Sequence, residues 1–318
     1  MGPVSRWAIH TYTLPLKRPI LARGAHRFER KGILLFRTLE GETRVGEAAP
    51  IEGFHPHTHS QICTELIDYC SHPQPEKRKA LSSLARFALE MTEQERPSST
   101  TPIQINGLFS IAAPIDSSFS CYKIKVGRTT IKEEIDFLLR LPLPKQARIR
   151  LDANRAWSVP EALAFWSGIR PLHSKIEYVE EPLQEPQALH TLPLPIAVDE
   201  SLPELKERCW DIPALRAIIL KPTLQGGISG TKWWIQQAAD RNIDAVISST
   251  FESSIGIHAL CNLAALQPST VHGLGTASWF ATDLIPQRAI PEKGFLLAGV
   301  AVKPEDIDTR FLKLEARG

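Results

Sequence analysis

A series of charged residues in this chain each ends a short apolar stretch. The first two are lysines two residues apart, Lys123 and Lys125, in the strand-like run Tyr122-Lys-Ile-Lys-Val126. Further along the chain come three acidic positions and a third lysine: Asp152, the pair Glu180 and Glu181 before Pro182, Asp199, and Lys221. Carboxylate oxygens are hard ligands that suit Mg²⁺, and a neutral amine can act as a general base. The set predicts one metal ion held between lysines, an arrangement suited to removing a proton next to a carboxylate.

The two neighbouring lysines are expected to act on the same substrate. Lys123 and Lys125 alternate along a strand, so both project to the same face. Two ammonium groups side by side, near a divalent cation and partly desolvated, disfavour the charged form. We therefore expect a lowered lysine pKa and a workable base near neutral pH. Lys221 is expected to face the substrate from the other side.

Taken one at a time, these charged residues could instead have purely structural roles. Arg150 and Asp152 could form an ordinary ion pair, and Glu180 and Glu181 could cap a following helix because Pro182 comes next. Structural need rarely places two lysines inside an apolar run, however, and it does not explain why all the charged positions follow apolar strands. The set as a whole therefore favours a functional site.

From about residue 101 onward the chain repeats a unit of apolar strand, charged residue, polar loop and amphipathic helix. The candidate strands are Pro102–Phe109, Cys121–Val126, Arg148–Asp152, Ile176–Glu180, Ile196–Asp199, Ala217–Lys221, Asp244–Ser249 and Val271–Leu274. The clearest helical patterns are Thr130–Leu141, Val159–Ile169, Gly230–Asn242 and Ser253–Leu266. This alternation predicts a parallel sheet closed into a barrel, whose strand ends would bring the charged residues together. The link Ser110–Ser120 is short, so the first crossover helix is expected to be missing or reduced to a turn.

Residues 1–100 predict a smaller α+β domain. Strand patterns cover Trp7–Leu14 and Gly32–Leu39, and helical patterns cover Gln61–Tyr69 and Lys79–Met91. The tail, Lys293–Gly318, contains strand-like Phe295–Val302 and is expected to return to this domain. The predicted organisation is an α+β capping domain of residues 1–100, completed by 290–318, on a modified (β/α)₇β barrel of residues 101–289.

Composition excludes several classes of protein. The chain has 318 residues and a net charge of +2, which gives no basic patch strong enough to argue for nucleic acid. No stretch approaches the roughly 18 apolar residues of a membrane helix, and Met1–Leu21 lacks the apolar core of a signal peptide. The five cysteines include no close pair, which is typical of reduced thiols in a cytoplasmic protein. The expected partner is a small-molecule carboxylate substrate.

The motifs Lys-x-Lys, Asp-Ala-Asn, Glu-Glu-Pro, Asp-Glu-Ser and Lys-Pro, in this order and spacing, resemble the enolase superfamily. Within it, three longer strings resemble the o-succinylbenzoate synthase family of menaquinone biosynthesis. These strings are Arg150-Leu-Asp-Ala-Asn-Arg-Ala-Trp157, Lys221-Pro-Thr-Leu224 and Val246-Ile-Ser-Ser-Thr-Phe-Glu-Ser-Ser254. The resemblance covers nearly the whole chain and is strongest over residues 120–255.

The resemblance implies a role for each residue of the set. The ligands of Mg²⁺, with Mn²⁺ as the alternative ion, would be Asp152, Glu180 and Asp199; Glu180 is chosen because the family's ligand lies two residues before the proline. Lys125 would be the base, Lys221 would stabilise an enediolate intermediate, and Lys123 would face the substrate carboxylate. Supporting roles fall to substrate-side Asn154, Ser248 and Ser249 and to the surrounding Arg150 and Glu200. For the two serines, a simple helix N-cap is the alternative.

The implied reaction is a syn dehydration of 2-succinyl-6-hydroxy-2,4-cyclohexadiene-1-carboxylate to o-succinylbenzoate. An N-acylamino acid racemase or a cycloisomerase on the same scaffold is the first alternative, and a non-catalytic barrel protein is the second. The last candidate strand, Val271-His-Gly-Leu-Gly-Thr276, lacks the Asp-x-Asp with which family members hold the α-ammonium group of dipeptides. That absence argues against a dipeptide epimerase.

Overall fold

The computed structural model describes residues 6–22, 25–95, 99–109 and 115–318. The strands are β1 Trp7–Ala22, β2 Ala25–Leu39, β3 Glu42–Ala48, β4 Thr101–Gln104, β5 Gly107–Leu108, β6 Cys121–Lys125, β7 Arg148–Asp152, β8 Ile176–Glu180, β9 Ile196–Val198, β10 Leu215–Leu220, β11 Asp244–Ile247, β12 Phe295–Ala298 and β13 Leu312–Arg317. The helices are α1 His59–Ser71, α2 Pro75–Ala80, α3 Ser83–Glu93, α4 Ile131–Leu139, α5 Val159–Gly168, α6 Leu202–Leu205, α7 Gly227–Ala239 and α8 Ser254–Ala264. Within these described ranges, none of the helices is long and apolar enough to cross a bilayer.

The predicted barrel is confirmed. Strands β5 to β11 form a seven-stranded parallel sheet in chain order. Parallel bridges of His272 with Ile105 and of Gly273 with Ser248 join its two edges. The backbone amides of His272 and Gly273 donate across these two seams, over 2.8 and 2.9 Å. The predicted eighth strand, Val271–Leu274, is therefore present as a two-residue bridging segment.

Small side chains on two strands make room inside the barrel for larger ones on their neighbours. Ala197 on β9 and Ala217 on β10 pack with Tyr178, Ile219 and Val246 in an interior cluster. The outward-facing apolar residues of the same strands pack under the helices in the main core. Strands with two buried faces explain the nearly continuous apolar runs in the sequence.

Part of the first crossover lies outside the described residues. Residues 110–114 are not described, and residues 115–120 form a turn without a helix. The next crossover contains α4, whose first turn is capped by Thr130 and Glu133 in a reciprocal capping box. The expectation for the Ser110–Ser120 link therefore remains a prediction over its first half.

A four-stranded antiparallel sheet with the order β13-β1-β2-β3 covers one end of the barrel. We call β1–β3, α1–α3 and β13 the capping layer. One face of this sheet packs on α1 and α3, for example through Ile33 and Leu66, and the other packs on barrel residues such as Phe280 and Leu284. The expected return of the tail to this sheet is made by β13 and not by the segment Phe295–Val302. Its strand β12 pairs with β4 instead.

Two buried carboxylates of the capping layer accept hydrogen bonds from barrel helices. Glu47 on β3 accepts from Ser253 N at 2.8 Å, Ser253 Oγ at 2.7 Å and Gly256 N at 2.7 Å, at the start of α8. Glu90 on α3 accepts from Ser229 N at 2.9 Å and Ser229 Oγ at 2.6 Å, in the first turn of α7. The first amides of a helix have no partner within the helix, and its N-terminus favours negative charge. The capping layer thus completes two helices of the barrel.

Candidate active site

Strand register places three of the predicted residues side by side. Lys125 on β6 pairs with Asp152 on β7, and Asp152 pairs with Glu180 on β8. Asp199 and Lys221 directly follow β9 and β10 at the same end of the barrel. Directly paired residues of parallel strands lie at one level, so the parallel register brings together side chains that are far apart in sequence.

Lysine ammonium groups lie between the carboxylates. Lys123 Nζ is 2.8 Å from Asp152 Oδ2 and 2.7 Å from both carboxylate oxygens of Glu180. Lys125 Nζ donates to Asp152 Oδ2 at 2.7 Å. On the other side of the cluster, Lys221 Nζ donates to both oxygens of Asp199. All six predicted lysines and ligands therefore converge in one cluster.

Asn154 and Glu200 extend this cluster outward. Asn154 Oδ1 accepts from Lys125 Nζ at 2.6 Å, while its Nδ2 donates to Glu200 Oε1 at 2.8 Å. The backbone amide of Asn154 also donates to Asp152 Oδ1 at 3.1 Å. Burial, and then the charge of Asp199, raises the pKa of Glu200. The hydrogen bonds from Glu200 through Asn154 to Lys125 fix the direction in which the Lys125 amine points.

The pKa of Lys123 differs from the value expected from the sequence, and that of Lys221 shifts in the same direction. Burial alone would lower the pKa of Lys123, but the carboxylates of Asp152, Glu180 and Asp199 outweigh burial and raise it well above its ordinary value. The pKa of Lys221 is raised in the same way, chiefly by Asp199 against the effect of burial. The expected lowering is thus wrong for Lys123, because buried carboxylates stabilise the ammonium form more than burial destabilises it.

Glu180 and Glu181 point to different partners although they are adjacent. Glu181 is fully buried and accepts from Asp199 N at 2.6 Å, from Ser201 N at 2.8 Å and from Ser201 Oγ. Burial raises the pKa of Glu181 to about 7 against these hydrogen bonds. Its left-handed backbone, with φ of 46°, turns the two consecutive side chains apart. Glu181 holds the turn that carries Asp199, and neither glutamate caps a helix.

Arg150 lies beneath the cluster and does not pair with Asp152. The side chain is 2% exposed and donates to Glu177 Oε2 at 2.6 Å and to the Val271 carbonyl at 2.6 Å. Its guanidinium carbon is 5.0 Å from the ring centroid of Tyr178. Arg150 thus supports the barrel floor and the bridging segment, and the suggested Arg150–Asp152 ion pair is not formed.

The two serines lie at the end of β11, beside the bridging segment. Ser248 bridges Gly273, and Ser249 Oγ bonds Thr276 Oγ1 at 2.8 Å. Helix α8 is capped by Ser253, whose Oγ accepts from Ile255 N at 3.2 Å. The N-cap alternative for Ser248 and Ser249 is therefore wrong.

Sequence reasoning missed several residues that hold the Lys221 loop. Gln225 Oε1 accepts from the Lys221 amide at 2.6 Å. From the capping layer, Ser83 Oγ donates to the Leu224 carbonyl at 3.2 Å and accepts from Gly226 N at 3.0 Å. A glutamine in the turn after Lys-Pro was the only available signal, and for Ser83 there was none.

The carboxylates have the chemistry of a divalent-cation site. Asp152 and Glu180 are each 1% exposed and Asp199 is 6% exposed. Burial, and then the charge of Asp152, raises the pKa of Glu180 well above its ordinary value. Glu180 Oε2 also makes no hydrogen bond of good geometry. With ammonium groups between the carboxylates, the described His, Cys, Asp and Glu side chains form no group of three close enough to bind an ion. The three carboxylates and the unbonded Glu180 oxygen fit Mg²⁺, and binding requires the lysines to move aside.

Residues 110–304 match the model of a family described as enolase C-terminal domain-like. The o-succinylbenzoate synthase of Vibrio cholerae serotype O1 (strain M66-2) is 30% identical over 302 residues, covering 87% of this chain and 90% of that protein. That of Yersinia enterocolitica is 28% identical over 299 residues, covering 88% and 92%. Among solved structures, o-succinylbenzoate synthase from Thermosynechococcus elongatus BP-1, complexed with Mg in the active site, has a TM-score of 0.71 and 25% identity, covering 87% of this chain and 95% of that one. The L-Ala-D/L-Glu epimerase of Bacillus subtilis shares the fold, with a TM-score of 0.72 and 20% identity, covering 92% of this chain and 95% of that one.

Proposed function

This chain belongs to the enolase superfamily, and from that premise we propose that it is a lyase of menaquinone biosynthesis. The proposed reaction dehydrates 2-succinyl-6-hydroxy-2,4-cyclohexadiene-1-carboxylate to o-succinylbenzoate. The observation that carries the proposal is the convergence of Lys123, Lys125 and Lys221 on three buried carboxylates, in a chain whose similar proteins are named o-succinylbenzoate synthase.

Lys125 is the base in this proposal. Its side chain is 40% exposed, compared with 18% for Lys123 and 10% for Lys221, so its amine is the one most open to a substrate. Lys125 takes the ring proton next to the substrate carboxylate, and a proton from the same amine then goes to the departing hydroxyl on the same face. Asn154 holds the amine in position during both transfers.

The remaining residues bind and neutralise the substrate carboxylate. Asp152, Glu180 and Asp199 would hold Mg²⁺, which supplies Lewis-acid stabilisation of the charge that develops as the proton leaves. Lys123 faces the substrate carboxylate from the same strand as the base. Lys221 adds positive charge from the opposite side of the cluster, and Ser248 and Ser249 hydrogen-bond the succinyl carboxylate.

A racemase is the second candidate, and one observation favours it. Lys125 on β6 bonds Asp152 and Lys221 after β10 bonds Asp199, so the two amines enter one cluster from strands that are separated by three others. Two amines on opposite sides of one carbon could remove and return a proton on either face. A racemase would exchange the α-proton of both enantiomers of an N-acylamino acid with deuterated water.

The test follows loss of the cyclohexadiene absorbance with purified protein, first with Mg²⁺ and then with excess EDTA. Fast conversion that EDTA abolishes supports both the dehydratase and its metal. Lys125→Met is the matched control, because it keeps the length of the side chain and removes the amine. Absence of conversion with Mg²⁺ present would overturn the dehydratase, and proton exchange by N-acylamino acids would then test the racemase.

The domain organisation and the cellular location follow from the same proposal. We infer a division into a capping domain of residues 1–100, completed by 290–318, and a catalytic barrel of residues 101–289. All five cysteines are free thiols, which supports a reducing, cytoplasmic location.

A further inference from the structure

One buried arginine, Arg30, hydrogen-bonds the loop that follows β11 to the capping layer. Arg30 on β2 is 3% exposed. Its Nε donates to the Phe251 carbonyl at 3.0 Å and its Nη2 to the Thr250 carbonyl at 3.2 Å. The same guanidinium donates to the Pro50 carbonyl at 2.7 Å and to the Ala49 carbonyl. The planar guanidinium thus connects two backbone segments, residues 49–50 after β3 and residues 250–251 after β11.

A second connection starts at His55. Its Nδ1 accepts from Ile51 N at 2.9 Å, so the proton of the neutral ring is on Nε2. Burial lowers the pKa of His55 to about 3, which keeps the ring neutral. Nε2 then donates to Thr223 Oγ1 at 3.2 Å. Thr223 lies two residues after Lys221, so this bond joins the capping layer to the Lys221 loop.

The two connections meet at Thr250. Thr223 Oγ1 bonds Thr250 Oγ1 at 3.1 Å, and Thr250 Oγ1 donates to the Glu252 carboxylate. With His55 Nε2 as a donor and the Glu252 carboxylate as an acceptor, Thr223 donates to Thr250. We call Arg30, His55, Thr223, Thr250 and Glu252 the loop clamp.

The loop clamp sits beside the reacting groups. Phe251 has a left-handed backbone with φ of 60°, a conformation that a bulky residue keeps only when its surroundings impose it. His55 packs edge-on against Phe54 with ring centroids 5.0 Å apart, and the Phe54 centroid is 5.9 Å from Lys221 Nζ. The clamp therefore constrains Phe54, the Lys221 loop and the loop after Ser249 together.

We propose that Arg30 and His55 are positioning residues, which act through Thr223 and Thr250 to hold the Lys221 and Ser249 loops in their reactive arrangement. The proposal rests on the proposed function for its kinetic consequences. Its structural part, a constraint carried from the capping layer to two barrel loops, is independent of the reaction.

The test removes one hydroxyl from the middle of the clamp. Thr223→Val keeps the shape of the side chain but leaves His55 Nε2 without an acceptor, whereas Thr223→Ser keeps the hydroxyl. We expect kcat to fall about tenfold or more in Thr223→Val with a smaller change in KM, and to recover to within about threefold in Thr223→Ser. Thr231→Val is the matched control, since it removes a similarly buried hydroxyl whose partner among the described residues is the Gly227 carbonyl, at 2.7 Å. A loss of kcat in Thr231→Val as large as in Thr223→Val would overturn the proposal.

Hydrogen–deuterium exchange tests the clamp without turnover. We expect faster amide exchange over residues 51–55 and 249–251 in Thr223→Val than in Thr231→Val. Arg30→Lys keeps the charge but loses the guanidinium, and it should accelerate amide exchange over the same segments. If the wild-type protein shows no dehydratase activity, faster exchange still supports the clamp and only the proposed function fails. Equal exchange in Thr223→Val and Thr231→Val would overturn the clamp, whatever the activity.

Discussion

Protonation of His272 should weaken the last seam of the barrel. His272 is fully buried in the bridging segment, where its Nδ1 accepts from Ile247 N at 3.0 Å and its Nε2 bonds the Gln267 carbonyl at 3.3 Å. Burial lowers the pKa of His272 from 6.5 to about 4. The unfolded chain therefore binds a proton below pH 6.5 that the folded chain takes up only near pH 4. The stability due to neutral His272 is fully present above pH 6.5 and is lost as the pH falls toward 4.

The two pKa values set the size of this loss. One pKa unit corresponds to about 1.4 kcal/mol, so the interval from 6.5 to about 4 amounts to about 3 kcal/mol. About 2 kcal/mol of it should disappear between about pH 7.5 and about pH 5. His272→Asn places an acceptor oxygen near the position of Nδ1 and does not titrate. The free energy of unfolding should therefore fall by about 2 kcal/mol less in the variant than in the wild type over this pH interval.

Urea denaturation at the two pH values measures this difference, because the contributions of all other titrating groups are common to both proteins. His190→Gln, at an exposed histidine, is the control substitution. Identical pH dependence in the wild type and His272→Asn would refute the reasoning. It would mean that the folded protein accepts the proton on His272 without cost.

Three further perturbations test the site and its support. Lys125→Ala should lower kcat by at least about 10³-fold while leaving Mg²⁺ affinity and folding nearly intact, and substantial residual turnover would mean that another group is the base. Asp199→Asn should weaken Mg²⁺ binding about tenfold or more in calorimetric titration; an unchanged affinity would remove Asp199 from the ligand set. Glu47→Ala should lower the free energy of unfolding by about 3 kcal/mol, because it leaves buried donors at the start of α8 without an acceptor. Exposed Glu315→Ala is its control, and equal losses in the two variants would contradict this role of Glu47.

The barrel and the convergence of its charged residues could be predicted because both follow from local patterns. Each apolar run that ends in Lys125, Asp152 or Glu180 is a strand buried on both faces, and parallel strands end together. The positions of α4 and α5 followed from apolar residues at three- and four-residue spacing. These features depend on residues close together in sequence.

Features that depend on contacts between distant segments could not be predicted. The direction of the Lys123 pKa depends on how many carboxylates surround its amine, and the sequence does not give that number. The opposite orientations of Glu180 and Glu181 depend on the left-handed backbone of a residue that has no sequence signal for it. The tail illustrates the same limit, because the strand-like pattern of Phe295–Val302 does not reveal that β13 pairs at the edge of the antiparallel sheet while β12 pairs with β4.

The carboxylates of Glu47 and Glu90 restrict which chimeras of this protein and its relatives could fold. Each reaches from the capping layer to the first turn of a barrel helix, α8 for Glu47 and α7 for Glu90. A chimera joined near residue 100 would inherit the acceptors from one parent and the donors from the other. Where the second parent lacked matching groups, the hybrid would carry a buried carboxylate without donors as well as helix amides without an acceptor. The capping layer and the barrel therefore do not behave as interchangeable modules, and a productive exchange must transfer Glu47 with Ser253 and Glu90 with Ser229 as matched pairs.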